Sequence, residues 1–375
     1  MLATHPIQYQ VPLYRALTRR GLVDLEVAFL SDAGLRPYPD PGFGRDVRWD
    51  VDLTSGYRFV VLARDGSGVL ARLALVPRLA GWIRRQSAVL VHGHRHPGML
   101  LAVLLCRLLR RPYLLRGEAQ VQGLGTSPGR RVMRALVARV VVRGSAAALP
   151  IGTGNAAFYR HFGQPRLFWA PYSVDDVRFA APPEQDRAGF LSALGLDPAK
   201  PVVLFCGKLV PVKRPWDVVE AFRLLTTPAS LLIVGDGPLR GLVEQLLPAH
   251  NAVLAGFLNQ VALPVAYRAS DVLVLPSSQE PWGLVVNEAM HAGVTPVVSG
   301  RVGCAPDLVA GVGEVFPCGD VPALAAAVDR ALARATTAQA RAAAMARVAA
   351  YSLARTAEGY EAAATFVAAR RCRGG

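Results

Sequence analysis

Lysine is nearly missing from this chain. Of its 42 basic residues, 39 are arginine and only Lys200, Lys208 and Lys213 are lysine. Cysteine is also sparse: Cys106, Cys206, Cys304, Cys318 and Cys372 are scattered without metal or disulfide spacing, which excludes a disulfide scaffold or zinc module and fits reduced thiols in a cytosolic protein. No apolar run has the length of a membrane span. The most apolar candidate, Gly98–Leu109, is too short and is interrupted by Arg107. The N-terminus lacks a basic segment followed by an apolar one, so no signal peptide is expected. Acidic residues are scarce in one half only. Residues 1–172 hold 24 Arg and no Lys against 9 Asp plus Glu, whereas residues 173–375 hold 18 basic and 18 acidic residues, so the net +15 sits entirely in the first half. Two readings stand. One is a surface meeting anionic lipid headgroups or a polyanionic acceptor. The other is a drift toward Arg spread over ordinary solvated faces, which explains Arg over Lys but not the asymmetry. No recognition helix, basic stripe with interleaved aromatics or zinc module accompanies the charge, so nucleic acid is discounted.

What is present is a long alternation of short apolar runs with helical patterns, the layout of α/β domains with parallel sheets. Leu25–Leu30, Ala88–His92, Tyr113–Arg116 and Ala146–Ile151 read as strands in the first half. Val202–Cys206, Leu231–Val234, Val253–Ala255, Val272–Leu275 and Thr295–Val298 do so in the second. A chain of 375 residues suggests two domains. We expect domains at 1–172 and 201–345, a linker at 173–200 with APPEQDRAGF as its least structured part, and a C-terminal helix over 346–375. The Ala-rich stretch Ala323–Ala368 is expected to be helical for most of its length. THPIQY should follow a first strand, yet only Met1–Ala3 precede it; either that strand is very short or the true start lies upstream.

The chemistry concentrates in Gln279–Gly303, QEPWGLVVNEAMHAGVTPVVSGRVG, where Glu280 and Glu288 stand eight positions apart. DVLVLPSS upstream has the look of a buried strand running into a loop, and Gly283 opens a helix-spaced segment. Glu280 then lies at a strand's carboxyl end beside a helix N-terminus, with Glu288 about two turns along. Such a site suits a phosphorylated, polyhydroxylated ligand. Two of the three lysines fall in GKLVPVKRP, after an apolar strand. There an ammonium group acts as a point charge for phosphate oxygens, unless the pair is simply a solvated helix start. VGDG at Val234–Gly237 reads as a tight turn, not a dinucleotide fingerprint, because Pro238 follows.

Together with THPIQYQVPLYRAL, LLRGEAQ, IGTGNAAFYRHFG, APYSVDDVRF, FCGKLVPVKRP and GRVGCAPDLV, in that order along nearly the whole chain, Glu280-x7-Glu288 resembles the retaining glycosyltransferases of family 4. The resemblance implies the GT-B fold, two Rossmann-like domains facing each other across a cleft, with the last helix crossing back to the N-terminal domain. It implies a hexosyltransferase that takes a nucleotide-diphosphate sugar and needs no metal or other cofactor. Its acceptor would be a glycan or lipid-linked molecule of envelope or exopolysaccharide synthesis, and its location cytoplasmic or peripheral on the inner face of the membrane. Lys208 and Lys213 would hold the donor diphosphate next to Gly207. Lys208 stands where the family has Arg, which loses a bidentate fork. Glu280 would lie against the donor sugar, with backbone around Trp282, Gly283 and Leu284 assisting, and Glu288 would accept ribose hydroxyls. Gly235, Phe257 and Leu258 would border the base. Asp307 stands where the family often has Glu, and Cys304 reads as a small filler. Two rivals remain: a sugar-nucleotide epimerase of similar shell, against which the paired glutamates speak, and a catalytically silent partner protein.

In the first half, His5 and Gln8 of the first turn, His94, Arg116 and Glu118 are the acceptor or cleft candidates. His92, His94 and His96 alternate as three imidazoles could for zinc, but Pro97 ends the run and no carboxylate is near, so no metal is expected. Glu118, the only acid between Asp65 and Asp175, is either an ion-pair partner or a sugar contact. Gly129–Gly144 reads equally as an interfacial helix or as a domain helix with a basic face.

Overall fold

The computed structural model describes residues 1–63, 69–121, 127–181 and 185–372. The chain forms two compact units. The first comprises Met1–Arg36, Asp52–Ser173 and the segment from Leu353; the second comprises Pro37–Val51 and Val174–Ser352.

Fourteen strands are present among the described residues. In the first half they are β1 (Leu2–Ala3), β2 (Glu26–Phe29), β3 (Tyr38–Asp40), β4 (Arg45–Val47), β5 (Arg58–Val61), β6 (Val89–His92), β7 (Tyr113–Arg116) and β8 (Ala147–Ala148). They continue with β9 (Val202–Cys206), β10 (Ser230–Val234), β11 (Ala252–Gly256), β12 (Val272–Leu275), β13 (Thr295–Ser299) and β14 (Glu314–Phe316). The first unit's sheet runs β5-β2-β1-β6-β7-β8 and the second's β11-β10-β9-β12-β13-β14, every pair parallel. Numbered within each unit, both follow the doubly wound order 3-2-1-4-5-6. The strands are apolar on both faces because helices cover both, as β9 and β10 show: each is buried along its full length. Trp82, Phe158 and Tyr159 anchor the first core, and Phe205, Ile233 and Val274 the second.

The strands anticipated in the sequence are all found, most within a residue of each end. β1 is only two residues long, yet it pairs with both β2 and β6 at the centre of its sheet. The stretch expected as a linker at 173–200 is corrected: it begins the second unit and holds helices Asp176–Ala180 and Arg187–Ala193. Asp175 and Asp186 start them by accepting the amides of Arg178 and Gly189 at 3.3 and 2.6 Å. Residues 182–184 of APPEQDRAGF lie outside the described residues. The Ala-rich stretch is three helices, Val321–Ala335, Ala338–Ala349 and Leu353–Cys372. Thr337 interrupts it by capping Ala340. The expected boundary at 345/346 therefore falls inside a helix, and the chain joins the first unit at Leu353. There the last helix packs on helix Val11–Arg20, with Arg20 and Glu361 in a bidentate pair. No described helix is long and apolar enough to cross a membrane.

Candidate functional site

In the second unit the order of strands reverses between β9 and β12, and open α/β sheets bind ligands at the carboxyl side of such a switch point. The loop after β9 carries Gly207, Lys208 and Lys213; the loop after β12 carries Glu280 and Gly283. The two are fastened together. Ser278 N–H and Oγ–H both donate to the Val212 carbonyl, at 2.8 and 3.2 Å, and Lys213 Nζ pairs with Glu280 Oε2. Glu280 is held from the other side as well. Its amide donates to Arg301 O at 3.3 Å and its carbonyl accepts from Gly303 at 2.9 Å. The motif GRVG thus fixes the glutamate's backbone, while GKLVPVK supplies its charge partner.

The neighbouring turns interlock by close backbone approach. Gly207 N–H donates to Val234 O, Leu209 N–H to Asp236 O and Gly235 N–H to Gly256 O, all within 3.0 Å. Gly235 has φ +147°, and a Cβ there would lie 1.8 Å from Gly207 O, so only glycine fits. Gly283, at φ +101°, turns the chain into helix Leu284–His291, whose first amides lack intrahelical partners. The side chain of Trp282 points inward: it is 2% exposed and its Nε1–H donates to Asn287 Oδ1 at 2.8 Å. Only the backbone of Trp282 is therefore placed to serve the site.

Glu288 is buried on the same helix. Tyr267 Oη–H donates to its Oε2 at 2.6 Å, and Oε1 has no hydrogen-bond partner among the described residues. Burial pushes its carboxyl up to about 7, against the smaller opposing effects of the Tyr267 hydrogen bond and the Arg178 charge. A buried carboxyl with one unfilled oxygen is suited to take hydroxyl donors from a ligand.

Lys208 is also engaged. Its Nζ lies 2.8 Å from both oxygens of Asp40 and 4.7 Å from the Phe43 ring centroid. Burial works against ionisation of Asp40, but Lys208 and the amides of Gly42 and Phe43 outweigh it and hold the carboxyl below its usual range. Asp40 and Phe43 belong to the hairpin β3–β4, an inserted piece of early sequence that forms part of the second unit. The same hairpin meets Phe257: Phe43 packs edge-on at 4.9 Å and the Arg45 guanidinium lies 5.2 Å from the ring centroid. Leu258 follows in the same loop and is partly exposed. Sequence reasoning missed Asp40, Phe43 and Tyr267. The first two carried a signal, since YPDPGFG is a turn sequence in which Asp40 Oδ1 accepts from Gly42 N–H at 2.8 Å. Tyr267 carried none.

The candidates of the first unit gather less closely. Arg116 is corrected as an acceptor or cleft contact: it is 1% exposed, and it donates to the carbonyls of Ala170 and Pro171 between the rings of Tyr172 and Tyr360. A guanidinium buried at the end of β7 serves best by tying down the chain at 170–171, whose carbonyls need donors. Glu118 accepts from Tyr172 Oη–H and is exposed. His94 stacks on Phe158 at 5.6 Å, and burial, then the Arg95 charge, lowers it to about 4. His92 contacts Gln10 and His96 caps helix Pro97–Leu108, so the three imidazoles point to separate partners. His5 contacts Thr4, and Gln8 is partly exposed in the first turn. Among the described residues no three His, Cys, Asp or Glu side chains lie close enough to hold a metal ion. Cys304 is fully buried, with burial raising its thiol well above the ordinary range, as a filler would be. Asp307 is buried and accepts from Tyr351 Oη–H at 3.0 Å.

Comparison with known proteins bears on this site. Residues 187–347 match the family described as Glycosyl transferases group 1. A sulfoquinovosyl transferase of Arabidopsis thaliana is 35% identical over 130 residues, 33% of this chain and 25% of that protein. A 2-deoxystreptamine N-acetyl-D-glucosaminyltransferase of Streptomyces fradiae is 36% identical over 177 residues, 43% of this chain and 40% of its own length. The matches thus span about a quarter to two fifths of these relatives. Whole-chain likeness appears in solved structures. An Anabaena protein, HepE, in complex with UDP and glucose superposes with a TM-score of 0.72 at 16% identity, covering 98% of each chain. A sucrose-phosphate synthase from Thermosynechococcus elongatus gives 0.68 at 20% identity, covering 92% of this chain and 89% of its own. At such identities the likeness shows the fold, which is that of GT-B glycosyltransferases.

Proposed function

We propose that this chain, which carries a Glycosyl transferases group 1 domain over residues 187–347, transfers a hexose-type sugar from a nucleotide-diphosphate donor to a hydroxyl of a glycan or lipid-linked acceptor, with retention at the anomeric carbon. One observation carries the reading: Lys213 and Glu280 meet at the switch point of the second sheet, on loops that also present Lys208 and the N-terminus of the helix bearing Glu288. Cations and helix amides suit the diphosphate, and Glu288 the ribose. That two relatives are named as transferases of sugars, and that an Anabaena structure holds UDP, supports this class of donor.

The bond from the anomeric carbon to the β-phosphate oxygen breaks as the acceptor oxygen bonds to the same face. The acceptor's proton passes to the departing phosphate, and nucleoside diphosphate leaves. Lys208 and Lys213 stabilise the charge developing on that phosphate, a preorganised electrostatic role that requires no resident metal. Each lysine must first exchange its carboxylate partner for phosphate. Glu280, released from Lys213, then turns to sugar hydroxyls. The acceptor is read as a component of envelope or exopolysaccharide synthesis, reached at an anionic membrane surface. Helix Pro128–Gly144 supports this, because Val132, Met133, Leu136 and Val140 are exposed among Arg130, Arg131, Arg134 and Arg139.

The test is a thermal-shift and turnover screen with a panel of nucleotide sugars, alongside Lys213→Ala and Glu288→Ala. A donor should stabilise the wild type and neither variant. Absence of any shift across the panel in folded protein defeats the proposal.

A further inference from the structure

The first unit holds a cationic feature of its own. A cavity of about 550 Å³ is lined by Arg107, Arg110, Arg111, Arg166 and Arg370. That volume lies in the range of small-ligand sites. Tyr113, the first residue of β7, and Ala146, just before β8, also line it, so it opens at the amino edge of the parallel sheet. His92 and Arg116 close the opposite, carboxyl edge. No carboxylate lines the cavity, and among the described residues none of the five arginines is in an ion pair.

Two details distinguish this lining. Arg166 and Arg370 both lie against the Phe366 ring, at 5.8 and 5.6 Å from its centroid. Arg110 has φ +52°, just past the end of helix Pro97–Leu108, where Arg110 N–H donates to Arg107 O at 3.2 Å and Arg111 N–H to Cys106 O at 2.8 Å. That is the position where a helix ending normally takes glycine. An arginine kept in left-handed backbone at a cavity wall is local strain that a ligand contact can justify. Five like charges gathered without a counter-charge repel one another, and an anion with several phosphoryl oxygens relieves that while accepting paired guanidinium hydrogen bonds.

We propose that this cavity is a binding site for a phosphoryl-bearing polyanion, distinct from the donor site and independent of the reading of that site. The ligand is either a soluble phosphate compound or the headgroup of an acidic phospholipid. Binding is measured on the full chain carrying Lys208→Ala and Lys213→Ala, which removes both cations assigned to the donor site. Inorganic pyrophosphate is titrated calorimetrically, and sedimentation is followed with phosphatidylcholine vesicles with and without phosphatidic acid. The decisive variant is Arg110→Gly, which removes one charge while relieving the backbone, so its melting temperature should equal or exceed that of its parent. It should weaken binding by about tenfold, and Arg107→Gln with Arg166→Gln by more. Pyrophosphate binding lost in these variants identifies a soluble ligand. Vesicle binding that depends on phosphatidic acid and on Arg110, without pyrophosphate binding, identifies a headgroup. If neither probe binds, or if the variants bind both as well as their parent, the site does not exist.

Discussion

Removing the charge of Asp40 should tighten nucleotide binding. Lys208 Nζ sits 2.8 Å from both Asp40 oxygens, so a donor diphosphate that uses Lys208 must first displace a carboxylate. The side chains are 37% and 12% exposed, which places the pair near the surface, where solvent screening limits an ion pair to about 1 kcal/mol or less. Asp40→Asn should therefore lower the Kd for a nucleoside diphosphate by up to about fivefold. Asn is chosen over Ala because Asp40 Oδ1 also accepts the amides of Gly42 and Phe43 at 2.8 and 3.3 Å, and an amide oxygen retains both bonds. The hairpin should then stay folded, and the change should report on Lys208 alone.

The assay is calorimetric titration with UDP, the nucleotide held by the Anabaena structure of like fold, on wild type, Asp40→Asn, Lys208→Ala and the double variant. The gain should vanish when Lys208 is absent, because the two substitutions act through one contact. Weaker binding in Asp40→Asn would refute the reasoning. It would mean that the carboxylate orients the lysine for phosphate rather than competing for it.

Glu288 gives a pH signature. Its carboxyl is raised from 4.5 to about 7 by burial, so the protonated form favours the fold. That stability is fully present below about pH 4.5 and is lost as pH rises through about 7, some 3 kcal/mol in all. Denaturation of Glu288→Gln against wild type across that window should show the difference, and parallel pH profiles would contradict it. Asp271, 2% exposed, holds Arg187 at 2.9 Å, Arg341 at 2.5 Å and the Val202 amide at 2.8 Å. Asp271→Ala should cost about 1–3 kcal/mol in urea denaturation, chiefly because the buried Val202 amide loses its acceptor while the two partly exposed arginines turn to solvent. Gly235→Ala should shift the thermal midpoint downward by several degrees, as its Cβ meets the Gly207 carbonyl.

What could be read in the sequence followed from local chemistry. Continuous apolar runs such as Val202–Cys206 declare a strand buried on both faces, and the rarity of lysine marks the loop after β9. What could not be read depended on distance along the chain. Asp40 and Lys208 are 168 positions apart, and Tyr267 reaches Glu288 across 21, with nothing in either local pattern to announce the meeting. Arg116 misled for a related reason. A charged residue ending a strand reads as a site contact, and only the carbonyls of Ala170 and Pro171 reveal it as a strut. The strands β3 and β4 escaped notice because three residues each, rich in charge and proline, carry no periodic signal.

The paired state of both lysines says how the site should respond to its surroundings. Lys213 rests against Glu280 and Lys208 against Asp40, so phosphate binding exchanges one anion for another at each cation. Such an exchange leaves the site close to neutral before ligand arrives. Salt weakens both the internal pairs and the phosphate contacts. Donor affinity should therefore fall less steeply with ionic strength than binding to the unpaired arginines of the first unit, where no internal carboxylate is released. Titrating pyrophosphate into Arg107→Gln with Arg166→Gln, and into Lys208→Ala with Lys213→Ala, over a series of salt concentrations compares the two. An equally steep dependence in both variants would mean that the lysine–carboxylate pairs do not persist in solution.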